Sequence, residues 1–295
     1  MILVTGVTGP SGAAVIRESV RQRSPVRALV RSPGKAAALT GLPTVDVVEG
    51  DMLRPETLGP ALDGVQRVLM ISSARERMVD TQRTFIDAAK AAGVGHIVKF
   101  SGEEFGVGFD PYAFSGTRQH VEIERYLEDS GVAWTHLRPS QFMQFYLPGT
   151  LTGVDPRERA LVMPIGDSRL APVDIEDIAK VAVGILRTEG HEGNSYDMTG
   201  PEALTMHEVV GRITEATGEK FRYVEVSFEE KRQSLAAGCP PPVVDILDAL
   251  FRERRRCAES QVRMDTHKRF EVEPTTFAEF ARRNAAAFRA GPARV

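Results

Sequence analysis

The sequence predicts an α/β protein built on a doubly wound parallel sheet, with a smaller mixed α/β lobe in its second half. Three observations in the 295-residue chain predict this fold class. Strand and helix signals alternate through the first half, the strands are continuous apolar runs, and a glycine-rich turn follows the first strand. Continuous apolar strands indicate a sheet that is covered on both faces, and strand–helix alternation implies parallel pairing through right-handed crossovers.

The elements of the first half follow from β-branched runs and from the helical spacing of apolar residues. The predicted strands are 2–5, 26–30, 45–48, 68–71, 97–100 and 134–137. Amphipathic stretches of helical length, 80–92 and 117–129, lie between the later strands. These elements predict a dinucleotide-binding domain over residues 1–150.

The second half, 151–295, is predicted to form a smaller substrate-binding lobe whose segments interleave with the first domain. Three of its helices begin with side chains that can cap a first turn. The caps are Asp174 (with Asp177) before 175–186, Thr205 with Glu208 before 206–217, and Thr276 with Glu279 before 277–288. Three consecutive prolines within 238–242 predict a break between helices.

The turn after the first strand has the sequence Thr-Gly-Val-Thr-Gly-Pro-Ser-Gly over residues 5–12. In such a turn the first glycine permits a tight bend, the second lets a diphosphate approach the backbone, and the third lets the helix pack on the sheet. The free N–H groups at the helix start attract phosphate. The alternative is a simple strand-to-helix turn without a ligand. The candidate cofactor-binding residues are Gly6, Thr8, Gly9, Pro10, Ser11 and Gly12.

The end of the second strand indicates which dinucleotide is bound. NAD-binding proteins usually place an acidic residue there for the ribose 2′-hydroxyl, whereas NADP-binding proteins place an arginine near the 2′-phosphate. Here the acid is absent, Arg31 stands in its place, and Lys35 follows one turn later. A guanidinium can bind phosphate through two parallel hydrogen bonds. The sequence therefore favours NADP(H), the alternative being two solvated surface cations.

Composition excludes several classes of protein. The net charge is -3, with 42% hydrophobic and 26% charged residues, and no apolar run is long enough to cross a bilayer. We therefore expect no nucleic-acid partner and no membrane partner, and we interpret the basic run 252–256 as a solvated helix face. The two cysteines, Cys239 and Cys257, fit no zinc or disulfide pattern, so we expect no metal site and a cytoplasmic location.

Further motifs resemble the NmrA-like group of atypical short-chain dehydrogenases/reductases. They extend beyond the glycine turn and cover nearly the whole chain. The matching segments are Gly50-Asp51, Ser72-Ser73, the run 98–102 (Val-Lys-Phe-Ser-Gly), Leu137-Arg138-Pro139, Phe142-Met143, the run 172–179 and the terminal 274–277. This resemblance implies a Rossmann fold, and it is specific for the family rather than for one activity within it.

The resemblance also implies roles for individual residues. Asp51 and Met52 would border the adenine, and Ile71 and Ser72 would flank the ribose region of the cofactor. Ser101 would lie beside the nicotinamide. Phe142 and Met143 would wall the nicotinamide pocket. Apart from the resemblance, the apolar side chains of Phe142, Met143, Phe145 and Tyr146 fit the lining of a pocket for a flat hydrophobic substrate, although the same residues could belong to the core.

The chain departs from the wider superfamily at the catalytic pair. Typical members use a Tyr-x3-Lys pair, in which the tyrosine donates a proton and the lysine lowers its pKa. Counting back from Trp134 places His120 at the lysine position and Gly116 at the tyrosine position. Some NmrA-like quinone reductases similarly carry histidine there. His120 could bind the ribose or act as an acid, or be a helix histidine with local contacts only.

Two functions remain open from the sequence. The first is an NADPH-dependent reductase that transfers hydride to a quinone, enone or iminium acceptor, with His120, Tyr112 and Ser101 as candidate catalytic residues. Such acceptors tolerate the loss of the tyrosine better than a plain ketone does. The second is an NADP(H)-sensing regulator, as some relatives of NmrA type are; a redox-neutral isomerase or cyclase is a third. We expect a small hydrophobic or aromatic substrate and a monomer or homodimer. The sequence leaves open whether the loop 103–115 closes over the site, which its glycines Gly106 and Gly108 would permit.

Overall fold

The structure is a computed structural model that describes residues 1–73, 77–102, 110–112, 114–257 and 259–290. The strands are β1 (Ile2–Val4), β2 (Val26–Val30), β3 (Val45–Glu49), β4 (Arg67–Met70), β5 (His96–Phe100), β6 (Ala133–Pro139), β7 (Ala160–Met163), β8 (Asn194–Met198) and β9 (Arg222–Glu225). The helices are α1 (Pro10–Arg21), α2 (Gly59–Leu62), α3 (Met78–Ala91), α4 (Ser115–Asp129), α5 (Ile175–Arg187), α6 (Met206–Thr217), α7 (Phe228–Ala236), α8 (Pro241–Arg256), α9 (Asp265–Arg269), α10 (Phe277–Arg283) and α11 (Ala285–Ala290).

Seven strands form the main sheet in the order β3-β2-β1-β4-β5-β6-β8, and every neighbouring pair is parallel. The chain order reverses between β1 and β4. In open α/β sheets ligands bind at such a switch point, outside the carboxyl ends of the strands. The predicted fold class is confirmed.

Both faces of the sheet are covered because successive residues of each strand point to opposite faces. Val4 and Leu69 pack into a core with α1 and α5, whereas Leu3 and Val68 pack into a second core with α3 and α4. This arrangement explains why the strands are apolar throughout instead of alternating. It also means that a polar residue inside one of these strands is buried under a helix.

The second lobe begins after the chain leaves the carboxyl end of β6 in the main sheet. The parallel pair β7–β9, together with α6, α8 and α10, surrounds a separate apolar core. Helix α5 and strand β8 follow residue 150 in the sequence but are part of the first unit. Strand β8 pairs with β6 in the main sheet, and α5 packs against α1. The two units thus interleave, and a division at residue 150 stays a prediction.

The predicted caps begin the helices of the second half. Asp174 accepts a hydrogen bond from the backbone N–H of Glu176, and Thr205 and Thr276 form capping boxes with glutamates three residues later. The last predicted helix, 277–288, is instead two helices. The chain turns at Asn284, so α10 ends at Arg283 and α11 begins at Ala285.

The basic run at the end of α8 is not a uniformly solvated face, so that interpretation is wrong for Arg254. Its side chain is only 6% exposed. It follows Phe251 by one helical turn and therefore shares the face of α8 that packs on the apolar core of the second lobe. Arg252, Arg255 and Arg256 remain about half exposed. Among the described helices, none is long and apolar enough to span a membrane.

Candidate functional site

A cleft of about 660 Å³ lies at the carboxyl ends of β1, β2 and β4. It gathers predicted cofactor residues that are up to 66 positions apart in the sequence, from the glycine turn to the end of β4. The predicted residues that line it are Gly6, Thr8, Gly9, Pro10, Ser11, Gly12, Arg31, Asp51, Met52, Ile71 and Ser72.

The glycine turn has the geometry that its three glycines predict. Gly6 has φ +64°, and a β-carbon there would lie 2.8 Å from the carbonyl oxygen of Ile71. A β-carbon on Gly12 would overlap the carbonyl of Gly6 and lie 2.7 Å from the Cα of Val7. Gly9 differs, because its β-carbon would meet only the carbonyl oxygen of Gly6, at an ordinary 3.4 Å. The packing of the protein requires Gly6 and Gly12, whereas Gly9 leaves open space at the cleft.

Helix α1 presents its N-terminus to this open space. Gly9 is the N-cap; none of the described side chains caps the helix, and its first turn contains no acidic residue. By contrast, α6, α7 and α10 all begin with capping boxes. Uncapped N–H groups and the helix dipole attract an anion. The residues present therefore fit the diphosphate of a dinucleotide.

Buried hydrogen bonds position the turn against the neighbouring strand. The hydroxyl of Thr5 donates to the carbonyl oxygen of Ile71 (2.6 Å) and accepts from its backbone N–H (2.8 Å). The adjacent Ser72 hydroxyl accepts a hydrogen bond from the amide of Gln82 at 2.8 Å. Because Gln82 acts as the donor, the hydroxyl hydrogen of Ser72 is left to donate to a ligand in the cleft.

Two arginines of β2 and its end have different environments. Arg27 bonds to Asp46 and to the backbone carbonyls of Pro60, Ala61 and Asp63, so its role is structural. Arg31 lines the cleft, is exposed, and forms no hydrogen bond or ion pair with another described residue. It is therefore free to bind a ribose phosphate.

Two further cationic residues have different standings in the structure. The side chain of Lys35 lies outside the described part of the chain. Arg77 lines the cleft and contacts Asp80 at 3.7 Å, but the sequence did not single it out. Its position directly before α3 and beside the cleft is visible only once the sheet is assembled.

Replacing Arg31 with aspartate is expected to change cofactor preference. The variant should bind NADPH about 10-fold to 100-fold more weakly, because a charge-assisted phosphate contact contributes about 1.5–3 kcal/mol. Its affinity for NADH, which lacks the 2′-phosphate, should change much less. Titration calorimetry with both cofactors measures this difference. An Arg54→Asp variant, on the exposed Arg54–Glu56 pair, is the control, and equal losses for NADPH and NADH in Arg31→Asp would refute the role.

One strand further along the sheet, a cluster of polar side chains follows β5. Lys99 donates hydrogen bonds to the hydroxyl of Ser101 (3.0 Å) and to Nδ1 of His120 on α4 (2.9 Å). Lys99 is fully buried, Ser101 is 4% exposed and His120 is half-buried. The structure thus brings together the two predicted residues Ser101 and His120. The sequence analysis missed Lys99 as a site residue, although a lysine inside a predicted apolar strand was the signal for it.

The charges around this cluster shift its titration. Burial lowers the pKa of Lys99 to about 7, although the carboxylate of Glu124 acts in the opposite direction. Burial and the nearby Lys99 charge hold the pKa of His120 well below its ordinary value. Burial alone would raise the pKa of Glu124, but its hydrogen bonds from Arg138, at 2.7 and 3.0 Å, keep it below the ordinary value. The cluster therefore contains a neutral imidazole, a carboxylate and an amine that titrates near neutrality.

The position of the usual catalytic tyrosine is closed in this chain. A β-carbon on Gly116 would lie 2.5 Å from the ring of Phe114, so that ring occupies the space. Tyr112 is 46% exposed and its hydroxyl accepts a hydrogen bond from Arg125 at 2.6 Å. This placement is that of a surface residue, and its catalytic role stays a prediction. Of the predicted loop 103–115, residues 103–109 and 113 lie outside the described part.

The predicted substrate-pocket residues separate into two groups. Phe142 is half-buried and contacts Phe100 edge-on (6.2 Å between ring centres) and the exposed Phe145 (5.1 Å). Met143 and Tyr146 are each 1% exposed and pack in the core of the second lobe, where the Tyr146 hydroxyl accepts a hydrogen bond from Gln141. The structure does not bring these last two side chains to an open surface.

The parallel sheet, the glycine turn at its switch point and the uncapped helix define a dinucleotide-binding protein of the Rossmann type. The chain belongs to the NmrA-like family, which it matches over residues 1–281. The family predicted from the sequence motifs is thus confirmed.

Several characterised proteins are similar along nearly their whole length. An NAD(P)H azoreductase from Xenophilus azovorans is 36% identical over 291 residues, which cover 98% of this chain and 99% of that protein. The structure of a Citrobacter sp. triphenylmethane reductase complexed with NADP(H) has a TM-score of 0.83 at 26% identity, covering 97% of this chain and 100% of that one. An Escherichia coli NADPH-dependent quinone oxidoreductase complexed with NADPH also has a TM-score of 0.83, at 28% identity, covering 95% and 98%. NmrA, a negative transcriptional regulator, shares the fold at 18% identity and a TM-score of 0.75.

Proposed function

We propose that the protein is an NADPH-dependent reductase that transfers hydride to a small conjugated or aromatic acceptor, such as a quinone, an azo compound or an iminium ion. The observation that carries the proposal is the cleft itself. It combines a helix N-terminus that no described side chain caps, open space at Gly9 and an Arg31 without an ion pair among the described residues, as NADP(H) requires. The predicted cofactor is confirmed by the two similar structures that are complexes with NADP(H) and NADPH.

The chain would position the reactants as follows. The turn at Gly9 and the first turn of α1 bind the diphosphate, Arg31 binds the 2′-phosphate, and Ser72 donates to the ribose region. The nicotinamide end then extends along the carboxyl edge from β4 toward β5, where Ser101 and His120 lie. When bound, the cofactor supplies a hydride from the nicotinamide ring, and the rate depends chiefly on how closely the acceptor is held.

The class of acceptor is inferred from the closed tyrosine position. A ketone develops alkoxide charge and depends on an acid as strong as the usual tyrosine, and position 116 is a glycine that offers none. A quinone, azo or iminium acceptor spreads or neutralises the charge and depends less on such an acid. The half-buried Phe142 and the exposed Phe145, in contact with each other, offer flat apolar surface for an aromatic ring.

The test is to mix the protein with NADPH and a panel of quinone, azo, cationic triarylmethane and ketone acceptors, and to follow the nicotinamide absorbance. The proposal predicts turnover with conjugated acceptors and little with ketones. Tight NADPH binding with no oxidation by any acceptor would contradict it and favour a sensor of NADP(H).

A further inference from the structure

Lys99 is a buried cation whose hydrogen-bonded neighbours connect it to a surface cavity. It lies two residues after Ile97 on the sheet face that α4 covers, and its Nζ bonds to Ser101 and to Nδ1 of His120. Lys99 and Ser101 are buried, whereas His120 is half-buried and borders a cavity of about 290 Å³. Of the two side chains that Lys99 bonds, His120 is the one that borders the cavity, so a proton that Lys99 passes to Nδ1 can leave through the His120 ring.

The contact with Lys99 decides which nitrogen of His120 carries the hydrogen. A protonated lysine can only donate, so Nδ1 must accept, and the neutral ring then carries its hydrogen on Nε2. Nε2 is the edge that lies against Gly102: a β-carbon added at Gly102 would be 3.4 Å from it. Gly102 directly follows Ser101 at the carboxyl edge of the sheet, so the N–H of His120 points toward the reaction end of the site.

We infer that Lys99 is a positioning residue that holds His120 by Nδ1 and replaces the proton that Nε2 gives to the reduced acceptor. The inference rests on the proposed reductase function. With an azo acceptor, the hydride forms one N–H bond, the electron pair of the double bond moves to the second nitrogen, and Nε2–H supplies its proton. As Nε2 loses that proton, Nδ1 takes one from Lys99. Water later returns a proton to Nε2, and the proton on Nδ1 passes back to Lys99, which restores the starting state.

A cationic triarylmethane acceptor separates this role from a purely structural one. Its central carbon has an empty orbital that the hydride fills, giving a neutral product without any proton. If Lys99 only maintained the fold or bound NADPH, replacing it would slow azo and cationic acceptors alike. If Lys99 supplies the proton, replacing it should slow the azo acceptor and leave the rate with the cationic acceptor unchanged.

The experiment measures kcat for an azo acceptor and for a cationic triarylmethane dye in wild-type protein, Lys99→Met and Lys231→Met. Lys231 is the matched control. It is a half-buried lysine of the second lobe that donates a hydrogen bond to the carbonyl of Val162, and burial lowers the pKa of Lys231 as well. We expect the azo-to-cationic ratio of kcat to fall about 100-fold in Lys99→Met. The ratio should not change in Lys231→Met.

The pH profile of wild-type protein tests the same point without a variant. The titratable and charged groups that face Lys99 are Glu124 and His120 from α4, and Arg138 and His136 from β6. As pH rises through about 7, Lys99 loses its proton, and kcat for the azo acceptor should fall while that for the cationic dye does not. In Lys99→Arg the guanidinium stays charged but cannot give up a proton, so azo turnover should be low at every pH and this fall should disappear.

Each outcome decides a different claim. Wild-type turnover with an unchanged ratio in Lys99→Met, or a flat azo profile between about pH 6 and 8, would overturn the inference alone. NADPH oxidation with none of the acceptors would overturn the proposed function, and the inference with it. If Lys99→Met does not fold, Lys99→Arg and the wild-type profile decide the question.

Discussion

Alanine at Gly9 and alanine at Gly12 are expected to produce opposite defects. Gly9→Ala should keep its stability within about 0.5 kcal/mol, because the new β-carbon meets only ordinary contacts inside the protein. It should bind NADPH about 10-fold to 100-fold more weakly, because that β-carbon fills space at the diphosphate and costs charge-assisted hydrogen bonds. Binding is measured by titration calorimetry.

Gly12→Ala should instead destabilise the fold. Its β-carbon would overlap the backbone of Gly6 and crowd Val7, and overpacking of this kind costs about 1–3 kcal/mol. Urea denaturation of both variants provides the comparison. A stable Gly9→Ala protein with normal NADPH affinity would show that nothing approaches the turn at this position.

Acid is expected to destabilise the protein well before its carboxylates titrate. Four buried histidines, each at most 6% exposed, have pKa values lowered chiefly by burial: His96, His136, His191 and His267. Unfolding lets them take up protons near pH 6.5, so the unfolded chain binds more protons than the folded protein below that pH. Stability must therefore fall as pH falls.

The expected loss between pH 7.5 and 5.5 is at most about 5 kcal/mol, since each of the four histidines contributes at most about 1.4 kcal/mol over this whole range. Urea denaturation across this range measures it. His267→Leu removes one of the four histidines and should reduce the dependence of stability on pH by about a quarter. The substitution breaks no hydrogen bond with a described residue, because neither ring nitrogen of His267 has such a partner. His207→Gln, at an exposed histidine, is the control, and equal stability at both pH values would contradict the prediction.

The parts of the fold and site that depend on local sequence could be predicted. Strand 26–30 and helix 206–217 have the predicted bounds, because β-branched runs and capping boxes act within a few residues. The spacing of the glycines in the turn is itself a signal for a diphosphate site, so the cofactor residues in the turn could also be predicted. Arg31 was found because its position is set by the strand that precedes it.

The parts that depend on contacts between distant elements could not be predicted. Lys99 and His120 are 21 residues apart, and only the packing of α4 on β5 joins them. The burial of Tyr146 depends on Phe277, far along the chain, whose ring it meets edge-on at 5.3 Å. Likewise, the return of β8 to the main sheet depends on pairing with β6 and not on any local signal.

Calorimetric titration of the ligand-free wild-type protein with NADPH and with NADH tests the central claim most directly. The account predicts one NADPH bound per chain, with an affinity at least about 10-fold higher than that for NADH, because only NADPH offers the phosphate that Arg31 can bind. Absence of binding heat for both dinucleotides, or equal affinity for the two, would contradict it.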